Sequence, residues 1–175
     1  MKIDFAKIFT KIDIKTSANI IANLDDTSDE WLLARRKGIG GSDVGKICGL
    51  SNYGSPLSVW VDKTGYMEKP KVDNRFTKWG KILEPIIAVE FNNQNVLPDN
   101  LRLFNSDALF QSKKYPFMLA NIDRLILDEN DKIVSFLECK TASEYRKDEF
   151  QESIPDEYML QIQHYMSVLD VDHCY

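Results

Sequence analysis

Apolar and polar positions along the chain change period twice, and the changes divide it into elements. Residues 1–26 read as an arm with one short alternating stretch, Lys11 to Lys15. Thr27-Ser28-Asp29-Glu30 has the spacing of a capping box, with Thr27 at the cap, and opens a short helix to about Arg36 that Gly38 can terminate. After Gly38-Ile39-Gly40-Gly41, Ser42 is placed to cap a second helix, Asp43 to Cys48, ending at Gly49. Ser55-Pro56 opens a third, to about Lys63, with Gly65 behind it. Residues 74–93 carry the longest helical period, through Phe76, Trp79, Leu83, Ile86, Ile87 and Glu90. Pro98-Asp99-Asn100 is a turn. From there the period shortens. Met118 to Asp128 and Lys132 to Lys140 are β-rich runs around the polar turn Glu129-Asn130-Asp131, which predicts an antiparallel hairpin. A polar loop over 144–153 precedes a helix from Ile154-Pro155 to about Leu169, and Asp170 to Tyr175 begins a further strand. A sheet with helices before and after it is an α/β or α+β arrangement.

Composition narrows the class. The 175 residues are 43% apolar and 11% aromatic, enough for one cored domain with an arm. No apolar run is long enough to span a membrane, and the first fifteen residues lack the apolar stretch of a secretion signal. Cys48, Cys139 and Cys174 are widely spaced and form no C-x-x-C, which argues against a zinc ribbon or an iron–sulfur cluster and favours a reducing cytoplasm. The two histidines are too few for a His-rich metal site. The net charge of −5 argues against a nucleic-acid partner until it is divided along the chain. Residues 1–30 carry 4 basic and 6 acidic residues, residues 31–81 carry 10 and 4, and residues 82–175 carry 8 and 17. A basic block beside an acidic one suits a chain that grips an anion with one part and uses carboxylates in another.

The hairpin holds the most informative group. Asp123 lies in its first strand and Glu138-Cys139-Lys140 near the end of its second. Alternation puts Glu138 and Lys140 on one face and leaves Cys139 to offer its carbonyl. Two carboxylates and a carbonyl are oxygen ligands of the kind Mg²⁺ takes, and a neighbouring lysine can polarise a water or steady a phosphate charge. Leu119, Ala120, Ile122, Phe136 and Leu137 make these strands apolar, so charges on them need partners. Three further groups stand out. Glu84 sits among Ile82, Leu83, Ile86 and Ile87 on the long helix. Gln161 and Tyr165 share a helix face at i, i+4. Arg35-Arg36-Lys37, running into Gly38 to Ser42, could form a phosphate pocket. Each also has a plain structural reading: a surface carboxylate, a hydrogen-bonded pair and a solvated helix end.

The order of these stretches resembles the YqaJ-type viral recombinases, relatives of phage lambda exonuclease within the PD-(D/E)XK nuclease superfamily. The stretches that carry it are Trp31 to Asp43, Gly80-Lys81-Ile82-Leu83-Glu84-Pro85, Ala120-Asn121-Ile122-Asp123-Arg124, Leu137-Glu138-Cys139-Lys140-Thr141-Ala142, and Ile154-Pro155 through Gln161-Ile162-Gln163-His164-Tyr165. Together they cover about residues 28–172. The resemblance implies a restriction-endonuclease-like α/β core, a mixed central β-sheet flanked by helices, over residues 27–175. It implies a metal-dependent DNA nuclease, a 5′→3′ exonuclease on double-stranded ends that leaves 5′-phosphates. Asp123, Glu138 and the Cys139 carbonyl would hold Mg²⁺ or Mn²⁺. Lys140 would orient and activate the attacking water, Glu84 would support the metal site, Gln161 would steady the water or Lys140, and Tyr165 would buttress them. Arg35 and Ser42 match positions that grip the 5′-phosphate, with Arg36 a rival for Arg35.

The resemblance further implies a phage or prophage origin in a bacterial cytoplasm, a single-strand annealing partner and a ring-shaped homo-oligomer. Two departures accompany it: the proline before the first carboxylate is replaced by Ile122, and family domains usually continue into further C-terminal strands. An endonuclease or repair nuclease of the same fold, and a non-catalytic DNA-binding module, are the alternatives.

Overall fold

A computed structural model describes residues 13–23, 28–67, 75–142, 150 and 153–175, and the side chain of Phe76 is outside that description. Along the chain run β1 (Asn19–Asn23), α1 (Asp29–Arg35), β2 (Ile39–Gly40), α2 (Gly41–Ile47), α3 (Pro56–Thr64), α4 (Arg75–Asn93), β3 (Arg102–Phe104), β4 (Ala108–Gln111), β5 (Met118–Asn121), β6 (Arg124–Leu127), β7 (Ile133–Leu137) and α5 (Asp156–Leu169). One sheet has the order β1-β4-β5-β2 and the other β3-β6-β7. Among the described residues the strands pair antiparallel except β2 on β5, where Ile39 lies opposite Met118 and Gly40 opposite Leu119.

The β-rich run from Met118 to Asp128 is therefore two strands in two sheets, and the break falls at Ile122-Asp123. One core bridges it. Phe110 and Ala120 from the first sheet and Leu125, Leu127, Ile133 and Phe136 from the second bury against Tyr165, Val168 and Leu169 of α5. The expected hairpin is β6–β7, turned over 128–131, where Asp131 takes a left-handed φ of 62°. Asp128 stabilises the turn by accepting bonds from the Asn130 and Lys132 N–H groups at 2.8 and 2.9 Å.

Several local expectations shift for physical reasons. Thr27 lies outside the described residues; the cap of α1 is Ser28, whose hydroxyl accepts from the Trp31 N–H at 3.1 Å. Ser42 does not cap α2. Gly40 takes that position, and the Asp43 carboxylate reaches back to the Gly40 N–H at 3.0 Å. In α4 the apolar stripe is wider than the buried face: Trp79 and Ile86 are exposed, whereas Leu83 and Ile87 are half-buried and Ala88 buried. Part of the stretch read as an arm enters the core, since β1 pairs with β4 and Ala18 is buried. Lys15 makes an isolated bridge to Lys132, while Lys11 lies outside the described residues. The polar loop expected over 144–153 falls mostly outside them. The last residues pair on the free edge of β7, where Tyr175 donates to the Phe136 carbonyl at 2.9 Å and accepts from Glu138 at 3.0 Å.

Helix α2 crosses α5 at a glycine. A Cβ on Gly41 would lie 2.4 Å from Tyr165 Cε1 and 2.8 Å from Gln161 Cγ. Gly41→Ala is expected to overpack this crossing and lower stability by about 1–3 kcal/mol, measured by urea unfolding.

Candidate active site

The break between β5 and β6 turns Asp123 out of the ladder and into a cleft of about 600 Å³. Two backbone groups fix the turn. Asp123 Oδ2 accepts from the Cys139 N–H at 2.7 Å, and the Asp123 carbonyl accepts from Arg124 Nη1. The same Arg124 nitrogen reaches Glu84 Oε1 on α4 at 2.6 Å. Glu84 thus has the partner that its apolar neighbours demand, and it is tied to the turn through arginine.

Glu138 and Lys140 leave β7 just past its end, so their convergence comes from the chain beyond the strand rather than from strand alternation. Glu138 Oε1 accepts from Lys140 Nζ at 2.5 Å and from Gln161 Nε2 at 2.6 Å. Gln161 Nε2 also lies 3.2 Å from the Tyr165 hydroxyl, which continues the chain of polar groups along one face of α5. Lys140 Nζ sits 5.4 Å from the centre of the Tyr158 ring. Asp123, Glu138, Lys140, Gln161 and Tyr165 are brought together as expected, with Glu84 at one remove.

The electrostatics mark Glu138 as the strained member. Its side chain is 5% exposed, and Oε2 is buried with no hydrogen-bond partner among the described residues. Burial, and then the charge of Asp123, push its carboxyl up to about 7, against the pull of Lys140. Burial raises Asp123 as well, opposed by the Cys139 N–H and reinforced by the Glu84 charge. Burial and the Asp123 charge push the Cys139 thiol up to about 12, so the sulfur stays protonated. Burial and the Glu138 charge raise the Tyr165 hydroxyl.

Among the described residues no group of three or more His, Cys, Asp and Glu side chains is placed to hold a metal ion. The groups present nonetheless fit a hard divalent cation. Mg²⁺ is commonly held by only one or two carboxylates and keeps several waters. Here two carboxylates repel each other, and one buried oxygen has no partner among the described residues.

A second cluster lies at the start of α2. Arg35 Nη2 donates to Ser42 Oγ at 3.2 Å, and its guanidinium lies 4.7 Å from the centre of the buried Trp31 ring. Arg36 points elsewhere, its Nη1 3.7 Å from where a Cβ on Gly65 would be. Arg35, not Arg36, is therefore the arginine joined to Ser42. Beneath it Asp43 pairs with Lys63 Nζ at 2.7 Å, and Lys63 also donates to the Arg35 carbonyl at 3.0 Å. Burial raises the Asp43 carboxyl, but Lys63, the Gly40 N–H and Arg35 together outweigh it and leave it below the ordinary value.

A family model for the YqaJ-like viral recombinase domain matches residues 30–172. The chain belongs to that family. Over 158 residues it is 38% identical to the uncharacterized protein YqaJ of Bacillus subtilis (strain 168), covering 89% of this chain and 47% of that protein. The chain thus spans about half the length of that curated relative. Among solved structures it is similar to the alkaline exonuclease LHK-Exo from Laribacter hongkongensis, with a TM-score of 0.63, 16% identity, and 84% of this chain and 71% of that one covered. The dAMP complex of LHK-Exo gives a TM-score of 0.64 over the same shares. At that identity the likeness shows the fold. It is the α/β core, central sheet flanked by helices, that the family stretches imply. Among the described residues no helix is long and apolar enough to cross a membrane.

Three residues of this YqaJ-like domain escaped the sequence reading. Arg124 had a signal, a cation directly after a carboxylate on an apolar strand. Asp43 had one too, the N-cap-to-N3 spacing from Gly40. Lys63 had none, because its partners lie 20 and 28 positions away.

The raised carboxyl of Glu138 makes a signed prediction. Folded, it binds its proton up to about pH 7; unfolded, only to about its ordinary 4.5. The folded state holds the extra proton between those limits, so stability falls as pH rises through them. The full cost, about 3 kcal/mol, is present above pH 7 in metal-free buffer. Glu138→Gln is expected to remove it, so that the variant gains on the parent in urea unfolding at pH 8 but not at pH 4. A stability difference independent of pH would mean that Glu138 is not the raised group.

Proposed function

We propose that the chain is a metal-dependent DNA nuclease that removes nucleotides 5′→3′ from double-stranded ends. The observation that carries this reading is the buried, unpartnered Oε2 of Glu138 beside Asp123, with Lys140 bonded to the same carboxylate. Asp123, Glu138 and the Cys139 carbonyl would hold Mg²⁺ or Mn²⁺. The bound ion would supply Lewis-acid polarisation of a phosphate oxygen and make a hydroxide nucleophile accessible at neutral pH.

The protein's own groups have separable tasks. Lys140 Nζ, anchored on Glu138, presents its remaining N–H groups to the attacking water or a phosphate oxygen. Gln161 donates to the same Oε1 and so helps fix the carboxylate that anchors Lys140. Tyr165 closes the floor behind Gln161. Glu84 acts through Arg124, which keeps the Asp123 turn rigid. In the reaction, water attacks phosphorus, the P–O3′ bond breaks in line, and the shortened strand keeps a 5′-phosphate. Arg35 and Ser42 would receive the terminal 5′-phosphate, since a guanidinium and a hydroxyl are both donors to phosphate oxygens. A role in phage-type recombination, with a single-strand annealing partner and a homo-oligomeric ring, is part of the same proposal and rests on family membership.

Lys140→Ala is expected to abolish Mg²⁺-dependent degradation of linear duplex, a loss of at least a hundredfold, while duplex binding persists in a gel-shift assay. Wild-type degradation by this variant would remove Lys140 from the chemistry. Closed circular duplex is expected to resist the parent enzyme; cutting of the circle would establish an endonuclease instead. Binding without any cleavage of either form, with and without Mg²⁺ or Mn²⁺, would leave a DNA-binding module.

A further inference from the structure

We propose that Lys63 is a positioning residue that sets the preference for 5′-phosphorylated ends, by neutralising Asp43 and so keeping the Arg35 guanidinium available to the terminal phosphate. The proposal rests on the reading of Arg35 and Ser42 as the phosphate pocket.

Asp43 is 4% exposed, and its Oδ2 serves two donors, the Gly40 N–H at 3.0 Å and Lys63 Nζ at 2.7 Å. Arg35 stands close by. The point where a Cβ on Gly40 would sit is 3.6 Å from Asp43 Oδ2 and 3.7 Å from Arg35 Nη2. The guanidinium and the carboxylate thus flank the same glycine, near enough for Arg35 to lower the Asp43 carboxyl. A forked arginine–carboxylate pair is among the strongest polar contacts available to either group. What prevents it is Lys63, whose ammonium takes the carboxylate and also donates to the Arg35 carbonyl at 3.0 Å. One side chain thus satisfies Asp43 and tethers the backbone from which Arg35 projects. With Lys63 the cluster of Arg35, Asp43 and Lys63 carries one net positive charge; without it the net charge is zero, and an arriving phosphate must compete with the Asp43 carboxylate for the arginine. Lys63 is not part of the cleft lining, and its side chain is 12% exposed, so it acts through Arg35 and not on DNA.

The test compares degradation rates of linear duplexes bearing 5′-phosphate or 5′-hydroxyl ends. Lys63→Met is expected to reduce the phosphate-to-hydroxyl rate ratio about tenfold or more, with the rate on hydroxyl ends unchanged within about twofold. Lys63→Met/Asp43→Asn is expected to restore the ratio, since asparagine can still accept from Gly40 without drawing Arg35 away. Lys63→Arg is expected to retain it. Asp43→Asn alone should keep or raise the ratio, which preserves the test if Lys63→Met does not fold. An unchanged ratio in folded Lys63→Met, no restoration in the double variant, or a fall in Asp43→Asn would overturn the proposal. Arg35→Ala separates the two levels. If it leaves the ratio at the parent value, the phosphate-pocket reading has failed; if it lowers the ratio while Lys63→Met does not, only the role of Lys63 has failed.

Discussion

A buried carboxylate, Glu138, within electrostatic reach of a second, Asp123, is the constraint on which the rest of this structure depends. Isolated buried charges are expensive, and like charges in contact more so. The surroundings of Asp123 and Glu138 are arranged to offset that cost. The Cys139 N–H takes one carboxylate, Lys140 and Gln161 share an oxygen of the other, and Arg124 binds both the Asp123 carbonyl and Glu84. One oxygen has no partner among the described residues. A protein gains no stability from such an atom, and in the proposed function it is the oxygen left to a metal ion.

The same constraint explains why β5 and β6 are separate strands. A continuous strand from Met118 to Asp128 would pair Asp123 into a ladder and aim its side chain along one sheet face. The break releases the residue from the ladder and lets its carboxylate receive a backbone N–H from the far side of the hairpin. The burial of Ile122, Leu125 and Phe136 on either side keeps the break from loosening the core.

What the sequence revealed, and what it hid, divides along the range of the interactions. The helices opened by Ser55-Pro56 and Ile154-Pro155, the long helix over 74–93 and the β6–β7 turn were legible because capping, periodicity and turn chemistry are local. The members of the carboxylate cluster were legible as residue types that apolar strands tolerate badly. Strands β1, β2, β3 and β4 were missed, being short runs whose identity comes from pairing with distant partners. The outward face of Trp79 and Ile86 was also beyond reach, because an apolar stripe does not say how much of it a neighbour covers. The Asp43–Lys63 pair is the clearest case: nothing near Lys63 in sequence announces it.

The two-residue strand β2 couples the two clusters through a single backbone. Ile39 and Gly40, which lead into Ser42, register against Met118 and Leu119, and Asp123 follows on the same run of chain. From Leu119 the chain stays in β5 for two more residues, to Asn121, and then breaks at Ile122-Asp123. The spacing between the proposed anion pocket and the carboxylates is thus set in part by the backbone register of β2 on β5. A gauge built from backbone is insensitive to most point substitutions. It can be reset only by inserting or deleting a residue, which would turn every following side chain to the opposite face. In the proposed nuclease, the distance from a gripped end to the point of cleavage would then be a property of the fold itself.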